Sequence, residues 1–274
     1  MTASRYVDRE RYFNELAQTS KEYILPYIER FRKLSGKDTV LEIGCGEGGL
    51  LSPFAENGCK VTGIDISEGK VENAKAFFDK RRLSGSFHTV NVLDDDTEIS
   101  GKTFDIIIIH DVIEHIEPDY KERFMEMVGR YSSPDGIIYM GFPAWQMPFG
   151  GHQQTCSHKC AKLPFIHWLP LKAYQSYLRR CRENEGTVSE LTSIYRSRMT
   201  VESFEGLCSK TGFEITDRTL WLINPHYKVK FRLFPLKMPF FLSAVPRVRN
   251  LFSTSCFYVL KKSGQDPSGT YPRI

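Results

Sequence analysis

Val40-Leu41-Glu42-Ile43-Gly44-Cys45-Gly46-Glu47-Gly48-Gly49 sets the frame for the whole chain. Thr39 to Ile43 is an apolar run of strand length that ends in glycines. Leu50, Leu51, Phe54 and Ala55 then supply a helix face that Asn57-Gly58 closes. In an open parallel sheet, ligands sit beyond the carboxyl ends of the strands where the strand order reverses, so the glycine loop is the expected ligand site. Glycines there let backbone approach a ligand closely. Asp65 ends the next strand about 20 residues later, where a carboxylate accepts hydrogen bonds from both hydroxyls of a ribose. A nucleoside-containing ligand follows from this pair of features.

The alternation continues outward. Lys60 to Ile64 reads as a strand, and a helix capped by Ser67 runs to about Arg82. Strands at Ser86 to Val92 and Phe104 to Ile109 follow, with a helix around Tyr120 to Tyr131 next. The turn Ser133-Pro134-Asp135-Gly136 leads into a strand at Ile137 to Gly141. This is the rhythm of a parallel sheet covered by helices on both faces. From Phe142 to about Arg198 it gives way to a stretch rich in Pro, His, Cys and aromatics, ending in a helix with Tyr174, Tyr177 and Leu178 and a polar linker at Glu183 to Gly186. A helix opening at Thr200 and stopped by Gly212, a strand at Phe213 to Leu222 and a last strand at Cys256 to Lys261 restore the pattern. Upstream, Leu16, Tyr23, Ile24, Tyr27, Ile28 and Phe31 have helical spacing, with Thr19 and Glu22 spaced as a capping box and Pro26 expected to kink or divide the helix. The organisation expected is an N-terminal helical cap at 1–36, a ligand-binding domain at 37–142 and 199–262, an inserted substrate-side region at 143–198 and a flexible tail at 263–274.

The chain of 274 residues, 41% hydrophobic, is long enough to bury a sizeable core. No stretch reaches the roughly 20 apolar residues of a membrane span, and the charged N-terminus lacks the apolar run of a signal peptide. Seven cysteines, an odd number, fit free thiols in a reducing compartment better than a disulfide framework, so a cytosolic location is expected.

Two ligand classes use a glycine turn followed by an acid. A dinucleotide places its pyrophosphate at the helix N-terminus, where a nearby carboxylate is unwelcome. Here Glu42 lies at the strand end and Glu47 in the loop. Two carboxylates repel phosphate but suit a ligand with a sulfonium and an amino group, which favours S-adenosylmethionine. A dinucleotide-dependent oxidoreductase is the second reading, and a non-catalytic binding protein of the same fold the third.

VLEIGCGEGG, VTGIDIS, FDIIIIHDVIEHI and PDGIIYMGFP resemble, in order and spacing, the successive motifs of the class I S-adenosylmethionine-dependent methyltransferases over Val40 to Pro143. TGFEI and SCFYVLKK are similar to that family's sixth strand and antiparallel seventh. The resemblance implies an α/β, Rossmann-like sheet of seven mostly parallel strands, helices on both faces, an insertion after strand five and a long connection between strands six and seven. It implies S-adenosyl-L-methionine as cofactor and S-adenosyl-L-homocysteine as product. Gly44, Cys45 and Gly46, in the loop that Gly48 completes, would then pack on the cofactor backbone, and Glu42 would support the loop or meet the methionine end. Asp65 would bind the ribose and Ile66 flank the adenine. Asn91 and Val92 stand where the family commonly holds the adenine amine with Asp and a small residue; Asn keeps the hydrogen bond and drops the charge. His110 and Asp111 would line the methionine side.

Asp111 to Ile116 looks like the corresponding segment of ubiquinone-type O-methyltransferases. Methyl transfer needs mainly alignment, and a base only when an oxygen must lose its proton. His115 is a candidate for that base, or else a histidine hydrogen-bonded under the loop. His152, in Phe149 to Gln154, is expected on a substrate wall. His152, Cys156, His158, Cys160 and His167 invite a zinc reading, but their spacing is not a common one and no metal is expected.

From Arg218 to Lys262 there are nine Lys and Arg residues and no acid. Within it, 224–250 mixes Lys228, Lys230, Arg232, Lys237, Arg247 and Arg249 with Phe231, Phe234, Phe240, Phe241 and Leu242. Such a long connection is usually functional. It reads either as a solvated basic face with aromatics packed inward, or as a peripheral contact with an anionic membrane or acceptor. The expected acceptor is a small molecule, a glycan or a lipid-linked group, methylated at oxygen. Nucleic acid is disfavoured because HDVIEH stands where an Asn-Pro-Pro-aromatic motif would be.

Overall fold

The computed structural model describes residues 8–263. Its centre is one eight-stranded sheet of order β3-β2-β1-β4-β5-β8-β6-β7. The strands are β1 (Thr39–Ile43), β2 (Lys60–Asp65), β3 (Ser86–Thr89), β4 (Phe104–His110), β5 (Ser132–Phe142), β6 (Phe213–Ile223), β7 (Leu236–Lys237) and β8 (Ser255–Lys262). The first five pair in parallel, and β8 runs antiparallel between β5 and β6. This is the Rossmann-like class expected, with β7 as one strand more. Two residues of β7 pair antiparallel with the edge of β6, too short a run to leave a pattern in the sequence.

Period-two alternation explains the continuous apolar run of β4. Ile106 and Ile108 join one buried cluster with Val40, Phe13, Phe54 and Phe78, while Ile107 and Ile109 join the other with Leu41, Phe124, Val128 and Phe204. The first face is covered by α1 (Arg9–Thr19), α2 (Leu25–Glu29), α3 (Ser52–Glu56) and α4 (Glu68–Lys80). The second is covered by α5 (Lys121–Tyr131) and, later in the chain, by the helix Val201–Lys210.

Several local expectations are corrected. The N-terminal helix begins at Arg9, capped by the Asp8 side chain, which accepts from the Arg11 N–H at 3.0 Å. Thr19 lies within the helical run, its hydroxyl donating to the Glu15 carbonyl at 2.9 Å, so it forms no capping box with Glu22. A π turn at Ser20–Ile24 joins α1 to α2 and carries the chain past Pro26, which has no N–H to donate. Ser67 stands at the N-terminus of α4 but makes no side-chain cap. β3 ends at Thr89, short of Val92, because Asn91 turns the chain with its own side chain, accepting from the Leu93 N–H at 3.1 Å. Ser133 to Gly136 does not separate helix from strand; it lies inside β5, where the register against β4 shifts.

The stretch after β5 holds α6 (Leu171–Arg180) and α7 (Glu185–Ser197). Glu183 to Gly186 is not a linker: Asn184 caps α7 by accepting from the Thr187 N–H at 2.9 Å. Cys156, Ala161, Tyr174, Leu178, Leu191 and Ile194 form a small core of their own, and Met199 rejoins the main one. After α8 (Val201–Lys210), the connection between β6 and β8 carries α9 (His226–Phe231), α10 (Phe240–Ser243) and α11 (Val248–Phe252). The tail from 264 onward lies outside the described residues.

Candidate functional site

β1 lies between β2 and β4, so the strand order reverses at its carboxyl end. A cleft of about 660 Å³ opens there, within the range of small-ligand sites. Its floor is Glu42, Gly44, Cys45, Gly46 and Glu47 from the end of β1 and His110 and Asp111 from the end of β4.

The loop after β1 is tied to β2 through the backbone. Gly44 and Cys45 donate their N–H groups to the Ile64 carbonyl at 2.8 and 2.9 Å. Asp65 completes the tie, its Oδ2 accepting from the Gly46 N–H and its Oδ1 from the Ser67 N–H, both at 2.9 Å. A carboxylate has about four lone-pair positions, so ribose hydroxyls can share it with these donors. Gly44 has φ +75°, and a Cβ there would run into the Val112 side chain. Gly48 has φ +80° and lies behind the cleft lining, where its missing side chain admits the Phe87 and Phe78 rings. Gly46 faces open space.

Glu42 is the most informative group in the floor. It is buried, lines the cleft, and its Oε2 has no hydrogen-bond partner. Burial first, and the neighbouring Asp65 second, push its pKa well above the usual carboxylate range. A cationic ligand group would reverse that shift and satisfy the orphaned oxygen. Burial likewise raises the Cys45 thiol, which is no nucleophile here. The donor-free Glu42 oxygen thus fits a cationic group such as the sulfonium or amino group of S-adenosylmethionine, and the Asp65 carboxylate fits its ribose.

At the end of β4, His110 is stacked on Tyr139 at 5.9 Å between ring centroids, with its Nδ1 3.0 Å from the Tyr139 hydroxyl. Asp111 takes φ +55° and donates its N–H to the Gly141 carbonyl at 2.9 Å, which turns the chain out of the sheet. Ile66 is 75% exposed, a flat apolar surface open to a ring. Asn91 and Val92 do not reach the cleft lining: the Asn91 amide bonds Asp94 at 3.1 Å and Val92 is packed in the core.

His115 and His152 meet behind Asp111, their rings 5.0 Å apart. Glu114 stands with them, its Oε1 3.7 Å from His152 Nε2, and both of its oxygens lack a hydrogen-bond partner. Burial raises the Glu114 pKa well above the ordinary value, helped by Asp111, and burial lowers His115. Burial, with His115 and His167 adding to it, lowers His152 to about 3. Burial thus favours the neutral form of both imidazoles, His152 the more strongly, and neither belongs to the cleft lining itself. Ligand atoms of the three residues lie within 4.8 Å of one another, a donor set that can also hold a divalent cation. The insertion's other candidates disperse: His167 is buried with Nε2 2.8 Å from the Trp145 carbonyl, His158 pairs with Glu183, and Cys160 is exposed.

The insertion lines the cleft with Gln154 among others, on the side where a substrate wall was expected, while the α1 wall and Lys70 carry no signal in the sequence. Arg9, Tyr12 and Leu16 of α1 form one wall, and Arg9 Nη1 lies 3.2 Å from the buried Glu47 Oε1. Leu50, Lys70 of α4 and, from the insertion, Gln154, Thr155, Cys156, Ser157, Lys162 and Glu190 complete it. The spacing of Leu16 and Phe13 marks a buried helix face, but nothing local says that the face beside it looks onto a ligand.

Residues 41–138 match a family profile described as a methyltransferase domain. The chain is 27% identical over 186 residues to a ubiquinone biosynthesis O-methyltransferase of Rhizobium leguminosarum, covering 68% of this chain and 63% of that protein. It is 35% identical over 118 residues to one of Coxiella burnetii, covering 42% and 47%. The matched region thus spans less than two thirds of the length of these curated relatives. Among solved structures, an S-adenosylmethionine-dependent methyltransferase of Clostridium acetobutylicum superposes with a TM-score of 0.56 at 11% identity, covering 90% of this chain and 92% of that one. A magnesium protoporphyrin IX methyltransferase of Synechocystis with bound SAH gives 0.53 at 15% identity, covering 91% and 84%. At such identities the likeness is one of fold.

Proposed function

We propose, for a chain that carries a methyltransferase domain of the class I S-adenosylmethionine-dependent family, that it methylates a hydroxyl oxygen of a small-molecule acceptor, free or carried on a glycan or lipid. The observation that carries the cofactor half is the buried, unpartnered Glu42 oxygen at the reversal of strand order, beside Asp65. The preference for oxygen rests on the relatives' name, O-methyltransferase.

When bound, S-adenosylmethionine supplies a methyl group on an electrophilic sulfonium. Glu42 meets the cationic methionine end, with His110 and Asp111 along its side. The Gly44, Cys45 and Gly46 backbone packs under it, Asp65 receives the ribose hydroxyls and Ile66 covers one face of the adenine. Asn91 is assigned the adenine edge, which requires its amide to leave Asp94, and Val92 stays in the core beneath it. His115 accepts the acceptor's hydroxyl proton at a ring nitrogen or orients the acceptor, His152 backs it, and the 143–198 insertion walls the acceptor in. Buried Glu42 and Glu47 disfavour a pyrophosphate, hence the oxidoreductase reading. All seven cysteines are free thiols, which suits a cytosolic enzyme.

Calorimetric titration with S-adenosylmethionine and S-adenosylhomocysteine tests the cofactor, with NADH as the competing ligand. Transfer of a labelled methyl group to hydroxylated aromatic, glycan and lipid-linked acceptors tests the reaction. Binding of NADH in place of S-adenosylhomocysteine would sink the proposal, and cofactor binding without transfer to any acceptor would favour the non-catalytic reading.

A further inference from the structure

The connection from β6 to β8 is anchored to the sheet edge and otherwise faces outward. Lys237 pairs with Trp221 across the β6–β7 ladder, and buried Met238 donates its N–H to the Leu220 carbonyl at 2.8 Å. Around these anchors, Phe231, Phe234, Phe240 and Phe241 are 49, 84, 87 and 69% exposed. Phe231 rests edge-on against Tyr227 at 5.2 Å, but Phe234, Phe240 and Phe241 do not pack inward, so the expectation of aromatics packed inward fails for these three. Phenylalanine is stabilised by leaving water, and an exposed group of them marks a contact surface.

The charge around them is of one sign. No acid occurs between Arg218 and Lys262. Arg218, Lys228 and Arg249 are used internally, against Glu205, Glu22 and Glu202. Arg232 and Arg247 are exposed, and neither guanidinium enters an ion pair among the described residues. Exposed phenylalanines with basic neighbours need a partner that offers anionic groups in a plane and an apolar layer beneath them.

We infer that this face docks on an anionic lipid bilayer, with the phenylalanines at the boundary of headgroups and acyl chains and Arg232 and Arg247 against lipid phosphates. The contact is peripheral, since no helix among the described residues is long and apolar enough to cross a membrane. Docking also orients the cleft. α9 is fastened to α1 by Thr19 Oγ1 and His226 Nδ1 at 3.0 Å and to the π turn that follows α1 by Lys228 Nζ donating to Glu22 at 2.8 Å, and α1 carries Arg9, Tyr12 and Leu16 into the cleft wall. The bilayer thus lies beside the wall of the site, where an acceptor held in lipid would present itself.

The test is sedimentation of the full chain, without cofactor, on phosphatidylcholine vesicles with and without about one third phosphatidylglycerol. The wild type should partition at least about tenfold better onto the anionic vesicles. Phe234→Ser/Phe240→Ser/Phe241→Ser should lower that partition about a hundredfold at every salt concentration. Arg232→Glu/Arg247→Glu should lower it about tenfold at low salt, and the remainder should respond less to salt. All five positions are exposed, so thermal unfolding and S-adenosylhomocysteine affinity in solution should match the wild type. That separates this proposal from the catalytic one. Absence of wild-type binding to anionic vesicles, or undiminished binding by the phenylalanine variant, overturns the inference. So does a wild-type dimer in ultracentrifugation that the phenylalanine variant alone abolishes while vesicles stay unbound, because a second copy would then cover the face.

Discussion

One wall of the cleft is made of strand ends, and the wall facing it is made of short helical turns. At the strand ends, Gly44 and Cys45 are held by backbone bonds to Ile64 in the next strand. On the facing side, the turn at Gln153–Thr155 is held by side chains: Gln153 donates to the Pro148 and Leu163 carbonyls at 2.8 and 3.2 Å. Glu183 accepts there from the Ser157 and His158 N–H groups at 3.0 and 2.8 Å. A wall built on sheet backbone tolerates little change in its own residues and is the same for every acceptor. A wall built on side-chain bonds can be remodelled residue by residue, which suits the part that chooses the acceptor.

The first variant that would break this contrast is Gly44→Ala. A side chain at φ +75° pointing into Val112 should cost about 2 kcal/mol or more of stability and abolish S-adenosylhomocysteine binding, read by thermal unfolding and calorimetry. Wild-type behaviour would show that the loop is not held as described. Asp65→Ala removes the acceptor for two loop N–H groups along with the assigned ribose contact. Its affinity for S-adenosylhomocysteine should fall about a hundredfold, and equal affinity would remove the ribose assignment.

His152→Ala addresses the group behind the facing wall, where it packs on His115, and the expected loss is about thirtyfold in methyl-transfer rate with cofactor affinity unchanged. The same residue sets an acid limit. Below about 6.5 the unfolded chain protonates this histidine, whereas the folded chain does not until about 3. Stability should therefore fall as pH drops through that window, and His152→Asn should flatten the fall in a series of pH-dependent melts. An unchanged slope would show that His152 is not buried neutral.

Glu42→Gln should move stability and binding in opposite directions. The Glu42 pKa is raised, so above about 4.5 the unfolded chain releases a proton that the folded chain retains, and the native state is penalised at neutral pH. Gln should stabilise the free protein by about 1 kcal/mol while weakening S-adenosylmethionine binding about tenfold. A variant that binds as well as wild type would show that Glu42 supports the loop without meeting the ligand's cationic end. Cys160→Ser is the smallest change: an exposed thiol outside the cleft should leave melting, cofactor affinity and zinc content unaltered.

Much of the fold was legible because its signals are local. Ile106 to Ile109 are apolar without a break since both faces of β4 are covered, and the glycine loop announces a strand end by needing conformations that other residues resist. Where the sequence misled, a second influence outweighed the local signal. Thr19 and Glu22 have cap spacing, but α1 begins upstream and runs through Thr19 because Phe13 and Leu16 pack on the sheet. The Cys and His residues of the insertion are close in sequence, yet His152 is drawn to Glu114 and His115, while His158 goes to Glu183.

The sequence by itself determined the order of the seven longer strands, β1 to β6 and β8, and the residues at the carboxyl ends of β1, β2 and β4, because periodicity, glycine and charge act over a few residues of chain. Only the tertiary structure decided what faces those ends. α1 became a wall of the cleft, Glu114 was buried beside two histidines, and the phenylalanines between β6 and β8 were left in water. Each of these depends on contacts between segments far apart in the chain, and burial, which shifts a pKa or exposes a ring, is a property of the packed molecule and of no segment alone.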